Sequence, residues 1–533
     1  MKRFLALLIL VLISSNYIYG QAWPKLAWYK TYNGPGDGID VVQDVKLHNQ
    51  NFYIAGRSTG IDTNPDFLVL KYSDKGDSLL GIRYAPDPLS WDEASSIAID
   101  SYENIYVVGG STFDQGSFYA LFHKYSPEGN LIFTKNFNSN IDIHSFGDFV
   151  ILDSNEDPII GYRQWNDRES AKVTKYSSLG DSIWTVTIAD DTSEYTVNYL
   201  LTDQANNIYV CLTQFYWGGS DVPTSKAVLV KINEAGEILW KTSVNGELPG
   251  KIILDNEQNV IMITKGDGST IKFNNEGEKL WTNDSTNSIY PIQTITDVVV
   301  DSKNNIIVTG YEFGISSLDY RTKKISPAGA EIWAEWFESL EGFNDYAMGI
   351  AIDDQDNLYI TGTSNNQDSI GLCYTVTYPG DGAPGWVFEF DLSDSTFEVP
   401  FRFFIGDSNF VYVAGFTGVG SDHDILAFKI DYGYGLDVKQ LDNNIPNNFS
   451  LSQNYPNPFN PVTKIEFSIP RGDNVKIEIY DALGRLVSEL VNRYLPAGNY
   501  SIDFNASEFS SGVYYYRLTA GSFVQMKKAV LLK

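Results

Sequence analysis

Reactive side chains are scarce in this chain. Its 533 residues hold two cysteines, four histidines and four methionines. Cys211 and Cys373 lie far apart, each inside an apolar run (Ile208-Tyr209-Val210-Cys211-Leu212 and Ile370-Gly371-Leu372-Cys373-Tyr374). That placement fits buried free thiols better than a disulfide framework. His48, His123, His144 and His423 form no pair at ligand spacing, which argues against a zinc centre and suits surface or strand-end positions. After the first residues no apolar run approaches the ~20 residues a membrane-spanning helix needs, so no transmembrane segment is expected in the mature chain. Helical hydrophobic periodicity is absent as well. Basic charge is short: 38 Lys and Arg face 67 Asp and Glu, for a net −29. A field of that sign repels phosphate backbones, which excludes nucleic acid as a natural partner.

What is present begins with an export signature. Lys2 and Arg3 precede an unbroken apolar run over residues 4–13, followed by a more polar stretch ending at Gly20. This is the build of a signal peptide over residues 1–20, cut between Gly20 and Gln21. The run is too short for a membrane anchor, and no cysteine follows it to carry a lipid.

Residues 27–430 repeat with a period near fifty. A polar residue followed by an apolar strand recurs at Asn51, Asn104, Asp157, Asn207, Asn259, Asn305, Asn357 and Asn409. In units two to seven an Asp stands four residues earlier (Asp100, Asp153, Asp203, Asp255, Asp301, Asp353), with turn-forming residues between, which reads as a tight turn joining two strands. Further on, a glycine precedes a large apolar residue by four positions: Gly76/Leu80, Gly129/Phe133, Gly180/Trp184, Gly236/Trp240, Gly277/Trp281, Gly329/Trp333 and Gly382/Trp386. The glycine permits the positive φ of a hairpin turn, and the aromatic can pack between sheets. Four short strands per unit, eight units and no helix predict an all-β, eight-bladed β-propeller over residues 21–432. Seven blades remain open if the short unit around Asn259 folds differently. Unit eight lacks its outer aromatic strand, and Trp28-Tyr29-Lys30-Thr31-Tyr32 at the front supplies a match. The N-terminal strand is therefore expected to complete the last blade. The units resemble those of a secreted β-propeller repeat family, a likeness that implies fold more than function.

A polar linker is expected over 433–448, followed by alternating strands such as Ile465/Phe467/Ile469 and Val475/Ile477/Ile479, which suggest a small Ig-like β-sandwich over 449–533. This tail is nearly neutral, with nine basic and seven acidic residues from Asn447 onward. Its ordered motifs are Tyr455-Pro456-Asn457-Pro458-Phe459-Asn460, Tyr480-Asp481 with Gly484-Arg485, Gly498, Tyr500, Gly512, Tyr514 and Lys527-Lys528. Together they resemble the type A C-terminal sorting domain of the type IX secretion system of Bacteroidetes. The resemblance implies passage through the periplasm, recognition by the type IX machinery, and a secreted or outer-membrane cell-surface destination.

No residue earns a catalytic or cofactor-binding role. Gly56-Arg57-Ser58-Thr59-Gly60 fits the nucleophile-elbow spacing but has no helix after it. Asp62-Thr63-Asn64-Pro65-Asp66 and Asp153-Ser154-Asn155-Glu156-Asp157 have the acidic spacing of a calcium loop without its glycine or closing glutamate, leaving calcium as a candidate ligand and the metal question open. The leading expectation is a non-enzymatic module that binds an extracellular glycan or protein through the ring's face or funnel. The alternative is an enzyme at the funnel mouth, acting on polysaccharide or as a quinoprotein-like dehydrogenase; the neighbouring cysteine pair of many quinoproteins is missing.

Overall fold

The computed structural model describes residues 24–533 except 37, 62–63, 88, 113–117, 138–142, 166–167, 217–223, 246–247, 267, 285–291, 315–316, 340–342, 366–370, 379–381, 383–384, 394–395, 407–409, 420–421, 433–438, 443–445, 472, 496, 507–508 and 522. The expected signal peptide and its Gly20–Gln21 cut lie outside these residues. Every regular element among those described is a strand. None is a helix long and apolar enough to cross a membrane.

The chain forms two compact units, one from Leu26–Asp407 with Val411–Lys429, the other containing Ile430–Lys533. In the first, strands pair into eight four-stranded antiparallel sheets. Their inner strands are Val41–His48, Asp92–Ile99, His144–Leu152, Ser193–Thr202, Leu248–Leu254, Thr294–Val300, Asp345–Ile352 and Phe397–Gly406. Each contacts the next, and the eighth contacts the first, so the sheets are the blades of a closed ring. The short fifth unit is a full blade with trimmed outer strands, Thr270–Phe273 and Lys279–Asn283. Eight blades, not seven, make the propeller. The N-terminal strand Lys25–Tyr32 lies beside Asp422–Asp431 and supplies the missing fourth strand of blade 8.

The repeated residues build one face of this ring. In the turn between the first two strands of blade 2, Asp100 accepts hydrogen bonds from the backbone N–H of Tyr102 (3.0 Å) and Asn104 (2.8 Å), while Glu103 adopts a φ of 62°. The same turn recurs at Asp153, Asp203, Asp255, Asp301 and Asp353. Third-strand lysines reach several of these carboxylates, as in Lys272–Asp255 and Lys324–Asp301, both 2.8 Å. The glycine–aromatic pattern works between blades. Trp184, Trp240 and Trp281 each donate their indole N–H to a carbonyl in the next blade's outer turn, at Glu234 (3.0 Å), Asn275 (2.9 Å) and Pro327 (3.0 Å). Each ring lies flat on that turn's glycine, where an added Cβ would come within 3.0 Å of it. Positive φ and lack of space both demand glycine there. Trp28 makes the same contact across the seam, onto Gly76 and the Asp74 carbonyl at 2.8 Å.

Blades pack through strand faces that are apolar on both sides. Between blades 3 and 4, Val173, Val186, Tyr195, Val197, Val210 and Leu212 share one core. Cys211 and Cys373 are buried free thiols in blades 4 and 7. His123 departs from its expected surface position. It is fully buried in mid-strand against Phe67 and Tyr84, and burial pushes its imidazole down to about 4.

The second unit is a sandwich of two four-stranded sheets around Ile465, Phe467, Ile477, Ile479, Tyr516 and Leu518. Lys439–Asp442, inside the stretch expected as linker, pairs with Gly498–Asn505 as an edge strand.

Candidate functional site at the channel mouth

Closure of eight inner strands leaves an axial channel. In seven blades the inner strand is interrupted midway by a bulge or irregularity in its register with the second strand. A bulge turns its extra residue out of the alternation between blade faces. With neighbours on both sides, the remaining direction is the axis. Gln43, Ser95, Asp148, Asn198, Thr296 and Met348 occupy these places, and all are half-buried.

On the face opposite the repeated turns, blades 1 to 3 bring polar and aromatic groups together. Arg57, at the end of the second strand of blade 1, pairs with Glu93 of blade 2 at 2.7 Å and lies over Trp91 at 5.0 Å. Glu93 also accepts a hydrogen bond from the Gln43 amide. Trp91 meets Phe118 edge-on at 6.2 Å, and Phe118 meets Phe146 at 6.5 Å. Arg163 covers Phe146 at 5.2 Å and pairs with Asp148 at 3.0 Å. The result is an arc of alternating cation and ring, Arg57–Trp91–Phe118–Phe146–Arg163, with carboxylates on its inner side. Phe146 can lie over blade 2 because position 110 is glycine; a Cβ there would come within 2.5 Å of the ring. His144 stacks on Trp165 beside the arc at 5.4 Å. Thr196 of blade 4 donates to Glu169 at 2.5 Å.

Burial raises Glu93 above the usual carboxylate range, and Arg57 offsets part of this. Burial, together with the nearby Glu169, pushes Asp148 up to about 7 against the pull of Arg163. Asp148 thus titrates within the neutral range, its ionised form held by the Arg163 pair. The arrangement offers ring faces, a guanidinium at each end, and both proton-donating and accepting groups.

Of the residues singled out earlier for chemistry, only Arg57 of the Gly-x-Ser-x-Gly stretch and His144 stand here. Ser58 of the Gly-x-Ser-x-Gly stretch is fully buried and accepts a 2.7 Å bond from Arg83. Asp153 caps its turn and pairs with Lys175 at 2.6 Å. Asp66 pairs with Arg83 at 2.5 Å, and Asp62 and Thr63 lie outside the described residues. Among the described residues no group of three or more His, Cys, Asp or Glu could hold a metal.

The tail motifs hold the last strand, Phe523–Leu531. The Asn457 side chain accepts from the Val530 N–H (2.9 Å) and donates to the Lys528 carbonyl (3.1 Å). Phe459 is buried and exchanges backbone bonds with Val530 and Leu532, both 2.9 Å. Tyr455, Pro456, Pro458 and Asn460 are exposed around it. Asp481 caps its turn at Leu483 and Arg485 (both 2.9 Å) and pairs with the Arg485 side chain at 2.7 Å, with Gly484 at φ 77°. Tyr480 donates to Glu478 at 2.9 Å. Tyr500 and Gly498 are buried, and the Tyr514 hydroxyl, two residues after Gly512, donates to the Ser510 carbonyl at 2.8 Å. Lys527 is half-buried and Lys528 exposed.

Residues 453–532 match the Secretion system C-terminal sorting domain family, and residues 169–371 match a family described as Outer membrane protein assembly factor BamB. No curated protein matches the sequence. Among solved structures, the chain is similar to PorZ, a surface component of the type IX secretion system of Porphyromonas gingivalis (12% identity, 95% of this chain and 70% of that one, TM-score 0.40). It is also similar to a quinohemoprotein alcohol dehydrogenase from Pseudomonas putida HK5 (10%, 83% and 81%, 0.47) and to an ulvan lyase of a new polysaccharide lyase family (14%, 76% and 96%, 0.45). At these identities and TM-scores the likenesses carry no inference about what this chain does.

Proposed function

We propose that this exported propeller, which carries a type IX sorting signal at its C-terminus, is a binding module for a glycan outside the cell. The observation that carries this reading is the arc Arg57–Trp91–Phe118–Phe146–Arg163 at the channel mouth. Aromatic faces take the C–H faces of sugar rings, and the arginines and carboxylates between them can bond hydroxyls. Residues 453–532 engage the type IX machinery, with the Asp481–Arg485 turn and the exposed Tyr455–Asn460 segment as the surfaces it reads. The domain limits are those of the sequence: signal peptide 1–20, propeller from 21, sorting domain to 533.

The test is a screen of the mature chain against polysaccharides, reading both retention and product release. Retention that falls about tenfold or more in Trp91→Ala supports the reading. Retention of nothing, or retention indifferent to Trp91→Ala and Arg57→Ala, refutes it. One observation favours a second reading, a polysaccharide-cleaving enzyme: burial and the nearby Glu169 raise Asp148 to about 7, the range of a carboxyl that donates a proton. Product release abolished by Asp148→Asn would replace the first reading with this one.

A further inference from the structure

The two outer faces of the C-terminal sandwich differ in kind. One belongs to the sheet of Lys439–Asp442, Gly498–Asn505, Val462–Ile469 and Ser450–Leu451. It exposes Lys464 opposite Asp503, with Glu466 and Asn505 beside them, the mixed polar surface expected where an antiparallel sheet meets water. The other belongs to the sheet of Leu486–Leu495, Asp473–Asp481, Gly512–Ala520 and Phe523–Leu531. From these strands Ile477, Ile479, Tyr516 and Leu518 enter the core. The residues that alternate with them point outward in three cross-strand rows: Tyr480–Tyr515–Lys528, Glu478–Arg517–Met526 and Lys476–Thr519–Val524.

These rows depart from the composition of a solvated sheet. Val524 is 58% exposed and Met526 49%, at alternate positions of the last strand. Tyr480 and Tyr515 are half-buried beside them. Three cations stand against one acid in the rows, and that acid is covered. Glu478 is buried and takes the Arg517 guanidinium at 2.5 Å, the Lys476 ammonium at 3.0 Å and the Tyr480 hydroxyl at 2.9 Å. Arg517 also lies over the Tyr480 ring at 4.9 Å, which holds it in the plane of the face. Water therefore meets cations, tyrosines and aliphatic tips, in a chain whose net charge is −29. That combination on one flat surface suits the headgroup level of a bilayer, where apolar tips and tyrosines dip in and basic side chains stay with the phosphates.

We propose that this sheet face docks on an anionic lipid surface, with Val524, Met526 and the two tyrosines at headgroup level and Lys476, Arg517 and Lys528 on the phosphates. The acidic remainder of the chain is repelled by such a surface, which leaves this face to make the contact.

Flotation of the mature chain with vesicles tests it, using phosphatidylcholine alone and phosphatidylcholine with about 30% phosphatidylglycerol, at about 0.15 M salt. The chain floats with the anionic vesicles and not with the neutral ones. Lys528→Gln weakens binding about fivefold. Val524→Ser together with Met526→Ser, which changes no charge, weakens it several-fold. Lys464→Gln, on the other face of the sandwich, leaves it unchanged. All four side chains are exposed, so the substitutions spare the core. Absence of binding, equal binding to neutral vesicles, or equal weakening by Lys464→Gln and Lys528→Gln overturns the proposal. Export lost in the Val524/Met526 double variant, in a host with type IX machinery and without any vesicle binding, also overturns it and gives the face to a protein.

Discussion

Ring closure rests on a strand from the far end of the sequence, and Trp28 is where its hold can be weighed. Trp28→Ala removes a half-buried indole that covers Gly76, lies 6.3 Å from both Tyr72 and Tyr412, and donates to the Asp74 carbonyl at 2.8 Å. Losing about 100 Å² of apolar contact at ~25 cal/mol/Å² costs about 2.5 kcal/mol. The lost hydrogen bond adds about 1 kcal/mol. Unfolding entropy near 2.1 cal/mol/K per residue, over about 400 residues, converts the sum to a Tm drop of about 4 °C. Trp240→Ala removes the same kind of contact, to Gly277 and Asn275, between blades joined by continuous chain. Its Tm drop should be similar. Hydrogen exchange should tell them apart. Only the seam variant should speed exchange in Lys25–Tyr32 and Asp422–Asp431, because only that strand can leave without a hairpin to hold it. Deleting residues 21–32 strips blade 8 to three strands and should lower Tm far more. An unchanged Tm in the deletion, or identical exchange patterns in the two tryptophan variants, would refute closure by the N-terminal strand.

Other outcomes are equally specific. Burial holds Asp92 and Asp345 up to about 6, and Glu398 and Asp148 up to about 7. Each folded-state value exceeds the unfolded one, so the native ring binds extra protons between pH ~4 and ~7 and loses stability as pH rises through that window. Tm should fall by roughly 5 °C from pH 5 to pH 8, and Asp345→Asn should flatten the slope. Burial raises both Cys211 and Cys373 to about 12, so thiol reagents should label neither until the ring unfolds. Asn457→Ala should speed hydrogen exchange in Phe523–Leu531 about tenfold through loss of two bonds, and lower the exported fraction in a host with type IX machinery.

Ring assembly explains what could be read from sequence. Every blade must turn, cap that turn and cover its neighbour's glycine, so Asp, Gly and Trp recur at fixed intervals. Those demands made blade number, strand count and the displaced N-terminal strand visible. Along the chain each glycine stands four residues before a large apolar side chain, whereas in the ring the side chain that covers it comes from the preceding blade. A linear pattern carries no information about that step across. The channel mouth is the reverse case. The column holding Arg57 and Arg163 reads glycine at 110, threonine at 213 and tyrosine at 311. A residue that appears where the repeat has no rule looks like noise until closure sets blades 1 to 3 side by side. His123 was misplaced for a related reason. Its strand, Phe118–Tyr125, is covered on both faces, so alternation no longer marks which side meets water.

Completion of blade 8 by residues 25–32 has a mechanical side. The ring begins and ends in the same sheet, so both exits of the polypeptide load blade 8, where Lys25–Tyr32 and Asp422–Asp431 lie side by side. A pull on the tail is borne there first, while the other seven blades, each a continuous run of hairpins, stay outside the line of force. The ring's resistance to being drawn by its sorting tail is therefore set within blade 8, where Asp422–Asp431 lies between Lys25–Tyr32 and Phe410–Val419, and strengthening any other blade would leave it unchanged.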